Sequence, residues 1–107
     1  MLAANEDHAY LFLSLLQARV GGSLMRRLPG GDAAGILARP APELAREMGL
    51  GEKAARALVE AADSFDATAV LDRLARKGFS AVTYADRAYP ARLRLAPDPP
   101  PSLFVVG

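Results

Sequence analysis

The residues best suited to chemistry lie at positions 49–56, where Gly49-Leu50-Gly51 is followed by Glu52, Lys53 and Arg56. A Gly-apolar-Gly step between two helical stretches predicts a helix-hairpin-helix. Gly49 can take the left-handed conformation that closes a helix. Leu50 can plug into the core and set the angle between the helices. Gly51 has no side chain, so N–H groups at the start of the next helix can approach a ligand closely. Free N–H groups at a helix N-terminus attract anions, and a DNA phosphate is the usual anion. Lys53 and Arg56 project from the first turn or two and can add phosphate contacts. Binding of this kind is non-specific and falls with salt. The same residues also fit a plain structural turn. Glu52 places a negative charge at the terminus that would receive phosphate, and Glu60 and Asp63 share the exposed side with Lys53 and Arg56. Positions 49–77 carry five basic and five acidic residues.

Other constellations are less specific. Arg26-Arg27, with Arg19 and Arg39, can form a basic patch if the first helices fold together, or can be separate solvated arginines. His8 beside Asp7 is a pairing that general acid–base chemistry can use, yet a lone first-turn histidine reads as a surface residue. Tyr84 and Tyr89 flank Asp86-Arg87 and can stack on bases or pack against a further domain. Tyr10, Phe12 and Phe65 fall at core spacing. The sequence contains no Gly-rich phosphate loop, metal-ligand cluster or nucleophile–base pair, so neither enzymatic turnover nor a cofactor or metal is expected. There is no cysteine, which excludes disulfides and thiolate zinc sites. A net charge of +1 excludes a polycation that coats nucleic acid indiscriminately. Residues 9–13 form the longest apolar run, far short of the roughly 20 needed to span a bilayer. With no targeting signal legible, a cytoplasmic protein without membrane contact is expected.

These side chains need elements to hold them. The chain has 107 residues, 51% hydrophobic and 23% charged, which suits a packed core. Residues 5–78 read as helical. Asn5 is a good cap, with Glu6 and Asp7 in the first turn. The wide stripe of Tyr10, Leu13, Leu16 and Val20, flanked by Leu11, Phe12 and Leu15, predicts a central helix. Ser23 can cap a short helix to Leu28, and Asp32 another to about Ala38. Pro42 suits the first turn of a helix over 43–48. Helices are predicted over 52–65, with Ala55, Leu58, Val59 and Ala62 inward, and over 66–77, with Val70, Leu71 and Leu74 inward. After Gly78 the period changes. Residues 79–84 alternate like a strand, 88–95 allow a helical turn or two, and 102–107 read as a second strand. These strands are expected to dock on the helices, to pair with each other, or to pair edge-to-edge with another copy.

The tail also carries a resemblance. Gly78-Phe79, Val82-Thr83, Asp86, Tyr89-Pro90, Leu93, Asp98-Pro99 and Leu103-Phe104 through Gly107 resemble the segment entering the nucleotide-binding-like domain of the DNA-processing protein A (DprA/Smf) family. The helical part resembles that family's N-terminal domain, which is similar to a sterile alpha motif. The resemblance implies a mostly α fold. A compact helical bundle with a helix-hairpin-helix would occupy residues 1–78, and an incomplete Rossmann-like domain would begin at 79–107. It implies an accessory module of a protein that binds single-stranded DNA in natural transformation and competence, and helps load a recombinase onto it. Such a protein binds rather than turns over. The main DNA pocket of the family lies beyond the part matched here. Only Gly49, Leu50, Gly51, Lys53 and Arg56 are candidate DNA-binding positions. The alternative is a protein–protein module that self-associates or docks the recombinase without touching DNA.

Overall fold

The computed structural model describes residues 5–21, 23–28 and 39–106. Helix α1 (Glu6–Val20) is the axis of the molecule. The Asn5 side chain accepts the His8 N–H at 2.9 Å, satisfying one of the donors a helix start leaves open. Ala9, Tyr10, Leu11, Phe12, Leu13 and Leu16 are buried along it. Burial on nearly every side follows from the wide apolar stripe, because helices and strands cover α1 from different directions. Each fully buried Leu or Phe contributes about 1.5–3 kcal/mol.

Residues 23–28 do not form the predicted helix. They make only a 3-10 turn, Met25–Arg27, and Ser23 does not cap it. The Ser23 hydroxyl instead donates to Asp98, and the Leu24 N–H donates to Gln17 Oε1 at 3.1 Å. A run this short, followed at once by Pro29-Gly30-Gly31, cannot repay helix nucleation. The turn is held by burial of Leu24 and Leu28. The helix predicted over residues 32–38 lies outside the described residues.

Three helices follow: α2 (Ala41–Glu47), α3 (Glu52–Ser64) and α4 (Ala67–Arg76). Pro42 occupies the first turn of α2, as its missing N–H favours. The Asp66 side chain accepts the Ala69 N–H at 3.2 Å and caps α4. Leu44, Ala45, Met48 and Leu58 join α1 in one core. One expectation about α4 is corrected. Leu71 is not buried but 38% exposed, at a hollow shared with Leu11 and Thr83, while Val70 and Leu74 are half-buried. Ala67 is the one buried residue of that helix, so α4 lies over the core rather than in it.

Beyond α4 the chain forms β1 (Phe79–Thr83), a single turn α5 (Ala91–Arg94) and β2 (Ser102–Val106). The strands pair antiparallel, Phe79 opposite Val106 and Thr83 opposite Ser102. They therefore meet two of the three expectations for them, since they pair with each other and dock on α1. The Thr83 hydroxyl donates to Asp7, and Ser14 and Ser102 share a hydrogen bond. Tyr10 and Tyr84 lie 5.4 Å apart between ring centroids, and Tyr84 and Tyr89 5.3 Å. The Tyr89 hydroxyl donates to the Pro100 carbonyl at 2.7 Å. The Arg94 guanidinium lies 4.8 Å from the Tyr84 ring centre and 5.2 Å from that of Tyr89. Tyr84 and Tyr89 thus spend their faces on their own chain. Tyr89 is buried and so is not free to stack on bases, while Tyr84 is half-buried. The chain is mostly helical, with one small two-stranded antiparallel sheet among the described residues.

Candidate nucleic-acid interface

The hairpin forms as its spacing requires. Met48 ends α2, and Gly49 takes φ +67°. The Gly49 N–H donates to the Arg46 carbonyl at 3.1 Å and the Leu50 N–H to the Ala45 carbonyl at 3.1 Å. This pair of bonds is the Schellman closure, which satisfies two carbonyls the helix would otherwise leave open. Leu50 is half-buried and packs against the core of α1, α2 and α3. That contact sets the hairpin's angle.

Gly51 sits at the N-cap of α3 with φ −67° and ψ 170°, and no side chain among the described residues caps the helix start. A Cβ added at Gly51 would meet no atom within 4 Å. Neither backbone conformation nor internal crowding therefore demands glycine there. The result is an open helix N-terminus, electropositive through its unpaired N–H groups and the helix dipole.

The charged groups around it divide by role. Lys53 is exposed and has no acidic partner within 4 Å among the described residues. Arg56 Nη2 lies 3.2 Å from Glu52 Oε1, one turn away. Both groups are well exposed, so the pair is loose and salt-screened. It also draws the Glu52 carboxylate toward Arg56.

The four-arginine patch considered from sequence is not assembled. Arg19 pairs with Glu60 at 3.3 Å across α1 and α3. Arg39 pairs with Glu47, and Arg26 is exposed on the 3-10 turn. Arg27 instead reaches the hairpin, donating to the Gly49 carbonyl at 2.9 Å and the Met48 carbonyl at 3.4 Å. A cation on the last carbonyls of α2 complements the negative end of that helix. Arg27 and Gly51 line the same small hollow, of about 210 Å³. Sequence reasoning missed this role for Arg27. No local signal announces it, because 22 positions separate Arg27 from Gly49.

His8 lines a separate shallow hollow with Asp7, Thr83 and Asp86. No group of three or more His, Asp or Glu side chains among the described residues is placed to hold a metal ion. No helix among them is long and apolar enough to cross a membrane. Compared with known proteins, the chain matches no family model, no curated protein and no solved structure.

Proposed function

We propose that this chain is an accessory DNA-contacting module, with the hairpin at residues 49–56 as its working surface. The observation that carries this reading is the uncapped, unobstructed start of α3 at Gly51. A phosphate oxygen there would accept N–H groups of the first turn of α3. The Lys53 ammonium, with no acidic partner among the described residues, would neutralise the same or the next phosphate, and Arg56 can exchange Glu52 for a phosphate at little cost. Arg27 acts from behind, holding the hairpin's carbonyls. The contacts reach only the backbone of DNA, so binding is weak and insensitive to sequence.

In this reading the helical part serves as the sterile-alpha-motif-like N-terminal domain of a DNA-processing protein A relative. The strands at 79–107 enter its Rossmann-like domain. The module acts in the cytoplasm by binding, without cofactor or turnover, beside a main domain that holds single-stranded DNA for a recombinase. The test is fluorescence anisotropy of labelled single- and double-stranded oligonucleotides at about 50 and 200 mM salt. Binding should weaken steeply with salt and disappear in the Lys53→Glu/Arg56→Glu double variant. Absence of binding at the lower salt by the folded chain would end this reading.

A second reading, a protein–protein module that self-associates, is favoured by strand β2. Phe104 and Val105 are each 44% exposed and Val106 76%, and the strand carries no charge or proline to discourage edge pairing. Sedimentation at rising concentration separates the two readings, since only self-association raises the mass.

A further inference from the structure

We infer that the groove between α1 and α4 is a docking site for an amphipathic helix with acidic flanks. This surface is distinct from the hairpin and does not depend on the DNA reading. The groove is a concavity of about 420 Å³, closed at one end by the last turn of α3 and Phe65. Its floor is apolar. Phe12 lies at the bottom, edge-on to Phe65 with ring centroids 5.1 Å apart. Leu15, Val70 and Leu74 form the walls and are only half-buried. Helix α4 has a strong apolar stripe, yet buries only Ala67 against its own chain. The described residues likewise leave the side of α1 bearing Leu15 half-buried.

The rim is cationic. Arg19 stands on the α1 side, engaged with Glu60. Arg73 and Lys77 stand on the α4 side, and neither has an acidic partner within 4 Å among the described residues. The rim carboxylate, Asp66, lies at the closed end and is engaged in capping α4. The groove therefore offers an apolar floor beside two unneutralised cations.

That combination selects its occupant. An apolar floor gives a phosphate backbone nothing to bond. The walls are helices whose backbone groups are already paired, so no free edge exists for an added strand. A helix inserting apolar side chains at i, i+3 or i+4, and i+7, with Asp or Glu beside them facing Arg73 and Lys77, satisfies both floor and rim.

The test uses the full 107-residue chain and three labelled helical peptides of equal length. One has a Leu stripe flanked by Glu, the second has Lys in place of every Glu, and the third has the Glu peptide's composition with the stripe scrambled. The Glu peptide should bind saturably and less tightly as salt rises, while the other two bind at least tenfold more weakly. Arg73→Glu/Lys77→Glu should cost the Glu peptide about tenfold and favour the Lys peptide. Val70→Lys should abolish binding with helicity by circular dichroism unchanged. Leu15→Gln serves as the second variant on the opposite wall should Val70→Lys unfold. Equal binding of the Glu and Lys peptides, or indifference to the charge reversal, would overturn the inference. So would no binding, or a concentration-dependent dimer that Val70→Lys dissociates, which would give the groove to a second copy.

Discussion

Gly49 and Gly51 are two residues apart, and replacing each with Ser should have opposite consequences. At neither position would an added Cβ meet an atom within 4 Å, so the contrast is free of packing. At Gly49 the backbone is left-handed, φ +67°, which costs a residue with a Cβ about 1–2 kcal/mol. The less flexible unfolded chain returns about 0.4–1 kcal/mol. Gly49→Ser should therefore destabilise by about 1 kcal/mol. At Gly51 the backbone, φ −67° and ψ 170°, suits any residue. The unfolded-state gain is then kept, and a serine hydroxyl adds a few tenths of a kcal/mol by capping α3. Gly51→Ser should stabilise by about 1 kcal/mol, raising Tm by about 4–8 °C for a chain of this size. The same hydroxyl would occupy an N–H group assigned here to phosphate and exclude close approach. DNA affinity should fall roughly tenfold, corresponding to one charge-assisted hydrogen bond of about 1.5 kcal/mol. Urea denaturation and oligonucleotide anisotropy on the same preparations read both effects. A Gly51→Ser chain that is more stable and binds DNA undiminished would refute the assignment of that helix start to phosphate.

Two further outcomes follow from the core and the tail. Leu58 is fully buried where α3 meets α1 and α2, so Leu58→Ala should cost about 2–5 kcal/mol in urea denaturation, a large share of the stability of a domain this small. Burial, then the neighbouring Tyr84, push the Tyr89 hydroxyl above the ordinary tyrosine value of 10.0, with Arg94 pulling the other way. Its neutral form is thus favoured by folding. The stability it contributes is fully present below pH 10 and lost as pH rises through the folded value. Stability measured from pH 8 to 11.5 should drop on the alkaline side, and the drop should shrink in Tyr89→Phe. That variant should also lose about 1 kcal/mol at neutral pH with the bond to Pro100, and should be cut faster by protease at residues 84–100.

The legibility of this chain divides by the distance over which each feature is decided. Asn5 caps its helix as expected, and Asp66 caps α4 by the same local means, because each accepts an N–H three residues on. Gly49 closes α2 through bonds spanning three to five residues, and Pro42 begins α2 by its own ring geometry. These are properties of a few consecutive residues and need no tertiary information. The central role of α1 was legible too, since a stripe too wide for one partner demands several. The helix predicted over 23–28 overestimated what a short capped run achieves without length to repay nucleation.

What only the tertiary structure decided is which distant side chains meet. Arg27 leaves its neighbours to hold the hairpin's carbonyls, and Arg19 is claimed by Glu60 from α3. The apparent patch of arginines dissolves because Arg19, Arg27 and Arg39 each find a different partner, and Arg26 stays exposed. Tyr84 and Tyr89 turn inward because Tyr10 and Arg94 are waiting for them. Val70 and Leu74 stay half-buried along the open groove, while Leu71 lies on the other side of α4, beside Leu11 and Thr83, and is 38% exposed. Helical period says which residues share a face of α4; it cannot say how that face is tilted against α1. Local hydrogen-bond rings are encoded within one turn of chain, whereas the orientation of packed helices is the joint result of every side chain between them.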